Sequence, residues 1–162
     1  ATALPLPAPR DPAVPQEALR PHEILQYRKK LSGPFLDRID LFVHVPRLTK
    51  EELLGEGGGE PSAAVRNRVL AAREIQLRRF AGKIFTNAEM GPKEVRRFCV
   101  LSAQAKSLLA KAIEHFALTG RGYVRTLKVA RTIADLSGAD TIEAEHVAEA
   151  LQYRAFAEEG WP

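Results

Sequence analysis

One short segment constrains the fold more than any other: Asp40 to Val45, DLFVHV, which reads as a strand with no mate. Leu41, Val43 and Val45 alternate onto one face, Phe42 and His44 onto the other, and Pro46 stops the run. Phe42 makes the second face partly apolar, as in a strand covered on both sides. No other segment is a comparable strand candidate. A lone strand cannot satisfy its own backbone, and two-stranded pairs are marginal in water. The chain is therefore expected to belong to a larger fold whose sheet lies N-terminal to residue 1, or to pair between copies.

The rest of the chain reads as tail, loop and helix. Pro5, Pro7, Pro9, Pro12, Pro15 and Pro21 crowd the start, a density that blocks helices and ladders and predicts an extended tail over 1–20. A short helix is expected from His22 to Leu31, broken by Gly33-Pro34. The stretch GEGGGEP, residues 55–61, predicts a flexible loop. A basic helix follows from Ser62 to about Phe80, with Val65, Val69 and Ala72 as its apolar stripe. Residues 82–100 hold Gly91-Pro92 and read as irregular.

Three clearer helices close the chain. Ser102 offers a cap for a helix in which Ala105, Leu108, Leu109, Ala112, Ile113 and Phe116 repeat with helical spacing, ended by Thr119-Gly120. A helix from Arg121 to Leu136 stops at Gly138. Asp140 and Glu143 offer a capping box for a last helix running to about Phe156.

Composition narrows the function. The chain of 162 residues is 45% apolar and 27% charged, as in a soluble globular protein, and no apolar run approaches bilayer length. No signal peptide is visible at the N-terminus. The chain begins at Ala1 and is read as an excised or processed piece. The single Cys99 excludes an internal disulfide and a cysteine-based zinc site and fits a cytoplasmic setting. Net charge is +4, and the helix over 62–80 carries that same surplus: Arg66, Arg68, Arg73, Arg78 and Arg79 against Glu74. Those five arginines form either a solvated face or a phosphate-backbone contact for DNA.

Catalytic sets are sparse. No GxxxxGK[ST] phosphate loop occurs, and Gly57-Gly58-Gly59 lacks the lysine and hydroxyl that would follow. His22, His44, His115 and His146 are scattered, so no metal site is expected. Arg38 stands between Asp37 and Asp40 at a loop-to-strand boundary. It is read either as a salt bridge to those aspartates or as a guanidinium presented to a neighbour's phosphate, where it would stabilise charge on a transferring phosphoryl group.

The block YRKKLSGPFLDRIDL, residues 27–41, resembles the end of the ATPase core in magnesium-chelatase-like AAA+ proteins of the ComM/YifB type. Asn87-Ala88 is similar to that group's N-A element. YVRTLKVARTIADL, residues 123–136, and HVAEALQYR, residues 146–154, are similar to its C-terminal lid. Members commonly carry a cysteine cluster before the first block, which this chain lacks, and Ile39 stands where related motors have phenylalanine.

The resemblance implies a mainly α fold: a helical lid bundle over 62–158 behind residues 21–54 of an AAA+ core, with a leftover strand. It implies that Arg38 is an arginine finger acting in trans. It implies that Arg121, in the pair Arg121-Gly122, is the lid sensor of the γ-phosphate, with Arg125 as competitor for that role. Arg131 is expected to face a neighbouring helix or subunit. The full-length protein would use ATP and Mg²⁺, assemble as a ring, expected to be hexameric, with its own upstream core, and act on DNA as a branch-migration motor. This piece alone would bind neither cofactor. Two other readings stay open: a chelatase subunit inserting magnesium into a porphyrin, and a non-enzymatic helical assembly module.

Overall fold

The computed structural model describes residues 38–43, 45, 48–50, 54, 55 and 59–158. The expected tail over 1–20, the helix from His22 to Leu31 and residues 56–58 of the glycine loop lie outside them. All the described residues fall within one compact unit, from residue 37 on.

The described residues are mainly α-helical: α1 Ser62–Phe80, α2 Pro92–Phe98, α3 Ala103–His115, α4 Gly120–Leu136 and α5 Ala144–Glu158, with a 3-10 turn at Asn87–Glu89. No helix among them is long and apolar enough to cross a membrane.

Helix α4 is the axis of the bundle. Leu127, Ala130 and Ala134 are buried on one face and meet Ala105, Leu109 and Ala112 of α3 and Val147, Ala150 and Leu151 of α5 in one core cluster. Alanines at these positions let the backbones approach closely, and the larger residues fill the gaps between them. Helix α1 reaches this core through its last two turns: Ala72, Gln76 and Phe80 are buried, whereas residues 62–71 are all exposed. Phe80 and Phe98 close that end edge to face, centroids 5.5 Å apart.

Several boundaries follow from local chemistry. Ser102 Oγ accepts from the Ala105 amide at 3.2 Å and starts α3. Thr119, expected to end α3, instead caps α4, its Oγ1 accepting from the Gly122 amide at 3.0 Å. Helix α3 has already ended at His115, and Ala117 takes φ 45°. Gly138, with φ 73°, ends α4 as expected. The Asp140/Glu143 capping box does not form. Glu143 donates its amide to Nδ1 of His146 at 3.0 Å, so histidine stands where glutamate would stand in that motif.

Two larger sequence expectations also need correction. Residues 82–100 are not irregular throughout: Pro92 at the first turn, where its missing N–H costs nothing, begins α2, and Glu94 accepts from the Gly91 amide at 3.0 Å. The segment from Asp40 to Val45 forms no strand among the described residues. Leu41, Val43 and Val45, the expected inward face, are 49%, 62% and 82% exposed. Phe42 N–H goes instead to the carbonyl of Tyr153 on α5, at 2.8 Å. The single β-type contact among the described residues is a parallel bridge from Leu101 to Ile142, which ties the starts of α3 and α5 together.

Candidate functional site

The side of α4 that carries Arg121, Arg125 and Lys128 lines a groove of about 690 Å³, at the edge of the core. Val124, Val129, Ile133 and Leu136 supply its apolar wall, and Arg121, Arg125 and Lys128 its charge. Asp40 and Leu41 bound it on one side, Glu149 and Tyr153 of α5 on another. The same helical period that buries Leu127 and Ala130 thus presents a cationic ridge one face round.

Of the three groove cations, two are engaged. Arg125 Nη1 donates to the main-chain oxygen of Arg38 at 2.7 Å and pairs with the Asp40 carboxylate. Lys128 Nζ donates to the Ala88 carbonyl at 2.8 Å. Arg121 is exposed at the N-terminal turn of α4 and, among the described residues, has no hydrogen-bond partner. Its neighbour Gly122 is buried beneath Arg154: a Cβ there would stand 3.4 Å from the Arg154 guanidinium. A Cβ at that distance is in ordinary contact, so the Arg-Gly pair sets a buried glycine against Arg154 beside an arginine that faces solvent.

Arg38 is exposed. Asp40, one of the two aspartates expected to neutralise it, is held by Arg125. Asp37 lies outside the described residues. The Arg125–Asp40 pair is itself half open to solvent on the aspartate side, so it contributes about 0–1 kcal/mol.

The five arginines of α1 divide. Arg66 and Arg78 are exposed. Arg68 forms a two-pronged contact with Glu60, at 2.7 and 2.8 Å, on the open surface. Arg73 is half-buried and donates to the Phe85 carbonyl at 2.7 Å and to Gln76 Oε1 at 3.1 Å. Arg79 turns inward, to Asn87 Oδ1 at 3.0 Å and to both oxygens of Asp135. A guanidinium so engaged is withheld from any phosphate, which leaves Arg66 and Arg78 as the open charge of this helix, with Arg68 exposed but paired to Glu60.

The inward arginines belong to a buried polar network that was only partly legible in the sequence. Asp135, fully covered, also accepts from Arg131 Nε at 3.0 Å and from Asn87 Nδ2 at 2.7 Å. Arg131, 1% exposed, donates in addition to the carbonyls of Asp140, at 2.7 Å, and Ala139, just past the end of α4. A cation there satisfies two carbonyls of the loop that follows α4. Burial lowers the Arg131 pKa, and Asp135 opposes that shift. Asn87 of the N-A pair is therefore a structural link between α1 and α4. The i,i+4 spacing of Arg131 and Asp135 was the available signal; Arg79, 56 residues from Asp135, gave none.

Beside this network lies Cys99, buried, its thiol pKa pushed up to about 11 by loss of water, an effect that Arg131 and Arg79 partly offset.

Comparison with known proteins adds the following. Residues 59–154 match the family described as "Magnesium chelatase, subunit ChlI C-terminal", and residues 8–53 match "Magnesium chelatase, subunit ChlI". The chain is 50% identical over 136 residues to competence protein ComM of Haemophilus influenzae, covering 83% of this chain and 26% of that protein. It is 43% identical over 137 residues to YifB of Escherichia coli, with the same coverage. A Mycobacterium tuberculosis protein is 39% identical over 150 residues, 91% of this chain and 30% of its own length. The chain thus spans about a quarter of the length of the curated relatives it matches.

Proposed function

The chain belongs to the magnesium-chelatase-like family, of the ComM/YifB type, and from that premise we propose that it is the helical lid and finger segment of a ring-forming AAA+ ATPase. The full-length protein uses ATP and Mg²⁺ held by an upstream core, and each site is completed by the adjacent subunit. Arg38 reaches the neighbour's γ-phosphate in trans. Arg121 reports the γ-phosphate of its own subunit's nucleotide to the lid. The observation that carries this reading is the contrast between arginines: Arg38 and Arg121 are exposed, while Asp40, the acidic neighbour of Arg38, is engaged by Arg125. A guanidinium stays charged at any physiological pH and fits two phosphate oxygens at once, so an exposed one at a subunit edge suits this task.

The chemistry asks little of these side chains beyond position. As the γ-phosphoryl group leaves, charge spreads over its equatorial oxygens, and a guanidinium fixed beside them lowers the barrier. Arg121 stands at the start of α4, where backbone amides already favour an anion. Its contact with the γ-phosphate is lost on hydrolysis, and the lid angle relaxes.

The work done with this cycle is movement on DNA, of the kind needed in competence and recombination. Its support is the similarity to a competence protein and the open basic surface of α1 at Arg66 and Arg78. The family model's own description favours a second reading, a chelatase that inserts magnesium into a porphyrin. The two separate in one assay of the full-length protein. DNA-stimulated ATP turnover without porphyrin metallation supports the motor; metallation with no response to DNA supports the chelatase.

A further inference from the structure

We infer that Arg125 is a positioning residue that straps the Arg38 segment to the helical bundle, so that Arg38 travels with α4. This rests on the finger role proposed for Arg38 and adds to it which body carries the finger.

Three contacts make the strap. Arg125 Nη1 holds the Arg38 carbonyl at 2.7 Å together with the Asp40 carboxylate. Phe42 N–H donates to the Tyr153 carbonyl at 2.8 Å. Arg154 Nη1 reaches the Ile39 carbonyl at 3.5 Å, a longer contact. Residues 38, 39, 40 and 42 are thus each tied to α4 or α5, and those helices share the buried core of the bundle. The division of the chain agrees. By family match, residues 8–53 go with the first chelatase model and 59–154 with the C-terminal one, yet the compact helical unit begins at Asp37. Position 38 is therefore counted with the core by sequence and held by the bundle in space.

The bonds fix the main chain of residue 38 and leave its side chain exposed. That is the arrangement expected of a side chain presented outward from a braced loop. Arg125 is one turn beyond Arg121 on the same helix. A change in α4 that begins at Arg121 then reaches residue 38 itself through the Arg125 guanidinium, the contact that α4 makes with the segment. Arg125, engaged in this way, is withdrawn from competition for the γ-phosphate.

The test has two arms. In this chain, amide hydrogen exchange at Phe42 should rise at least about tenfold in Arg125→Ala, while amides in the middle of α4 and α5 keep their protection. If Arg125→Ala loosens the helices as well, Asp40→Ala removes the ion pair without touching α4; it leaves the bond to the Arg38 carbonyl and should give a smaller rise at Phe42, at most about fivefold. No rise in either variant overturns the strap.

In the full-length ring, Arg125→Ala should lower kcat by about 10²-fold with ATP affinity unchanged, the scale of a small misplacement of a catalytic group. Added to Arg38→Ala it should cause no further loss, because it acts through Arg38. Arg125→Lys, with one ammonium for two acceptors, should recover only part of the rate. Weakened ATP binding in Arg125→Ala, or losses that multiply in the double variant, would make Arg125 a nucleotide contact and refute the inference. Full turnover in Arg38→Ala would instead remove the finger reading, with the strap still decided by exchange at Phe42.

Discussion

Arg79 and Asp135, 56 residues apart, face each other through two guanidinium nitrogens and both carboxylate oxygens, and the aspartate is fully buried. This contact joins the end of α1 to the end of α4, and Arg131 and Asn87 complete the shell around the carboxylate. Removing the one anion leaves two guanidiniums without their counter-charge. Asp135→Ala should therefore cost about 3–5 kcal/mol and lower Tm by at least ~12 °C in a domain of this size. Arg68→Ala, which breaks the exposed pair with Glu60, should move Tm by a few degrees at most. Thermal unfolding followed by circular dichroism checks both, and equal shifts would refute the structural weight given to the buried cluster.

The histidine at the start of α5 gives a sharper test of local chemistry. His146 Nδ1 accepts from the Glu143 amide, and Nε2 stands 3.1 Å from Ser137 Oγ, so the ring caps one helix and contacts the turn after the other. His146→Ala should cost about 1–2 kcal/mol in urea unfolding. His146→Gln, whose carbonyl oxygen can make the same cap, should recover part of that. Equal losses in the two variants would mean that ring packing, and not the cap, is what matters.

Cys99 sets the alkaline limit. Its folded pKa is raised from 9.0 to about 11, so between those values the unfolded chain releases a proton that the folded chain keeps. Stability from this group is complete below pH 9 and is lost as pH climbs to 11, with a slope of at most about 1.4 kcal/mol per pH unit. Cys99→Ala should flatten that decline. A thiol that reacts with iodoacetamide at pH 8 as fast in the folded as in the unfolded chain would contradict the burial.

How far the sequence foretold this arrangement can be seen element by element. The limits of α1 and the cap of α3 at Ser102 were readable because they depend on neighbours a few residues away. Helix α2 was not, because Gly91-Pro92 signals a break and a helix start equally well. The apolar stripe on α1 misled in part: Val65 and Val69 have the spacing of a buried face yet are exposed, since spacing does not say which turns meet a partner. The inward turn of Arg79 was illegible for a related reason. Its partner is distant in sequence, and on α1 it looks like any other arginine.

DNA contact by α1 has its own signature. If Arg66 and Arg78 lie against phosphates, the double variant Arg66→Ala/Arg78→Ala should reduce the slope of log affinity against log salt by about 2. Sequence preference should not change. A slope unaltered by both substitutions would return these arginines to the solvated surface.

Trans action by Arg38 can be read most directly by mixing subunits of the full-length protein. One variant, Arg38→Ala, keeps its nucleotide site and lacks the finger; the other keeps Arg38 and has a disabled phosphate loop. Each alone should hydrolyse ATP about 10³-fold more slowly than the wild type. Mixed rings place an intact site against an intact finger and should recover a substantial part of the turnover. Mixed rings as inactive as either parent would show that Arg38 serves its own subunit's nucleotide or none, and would contradict the account.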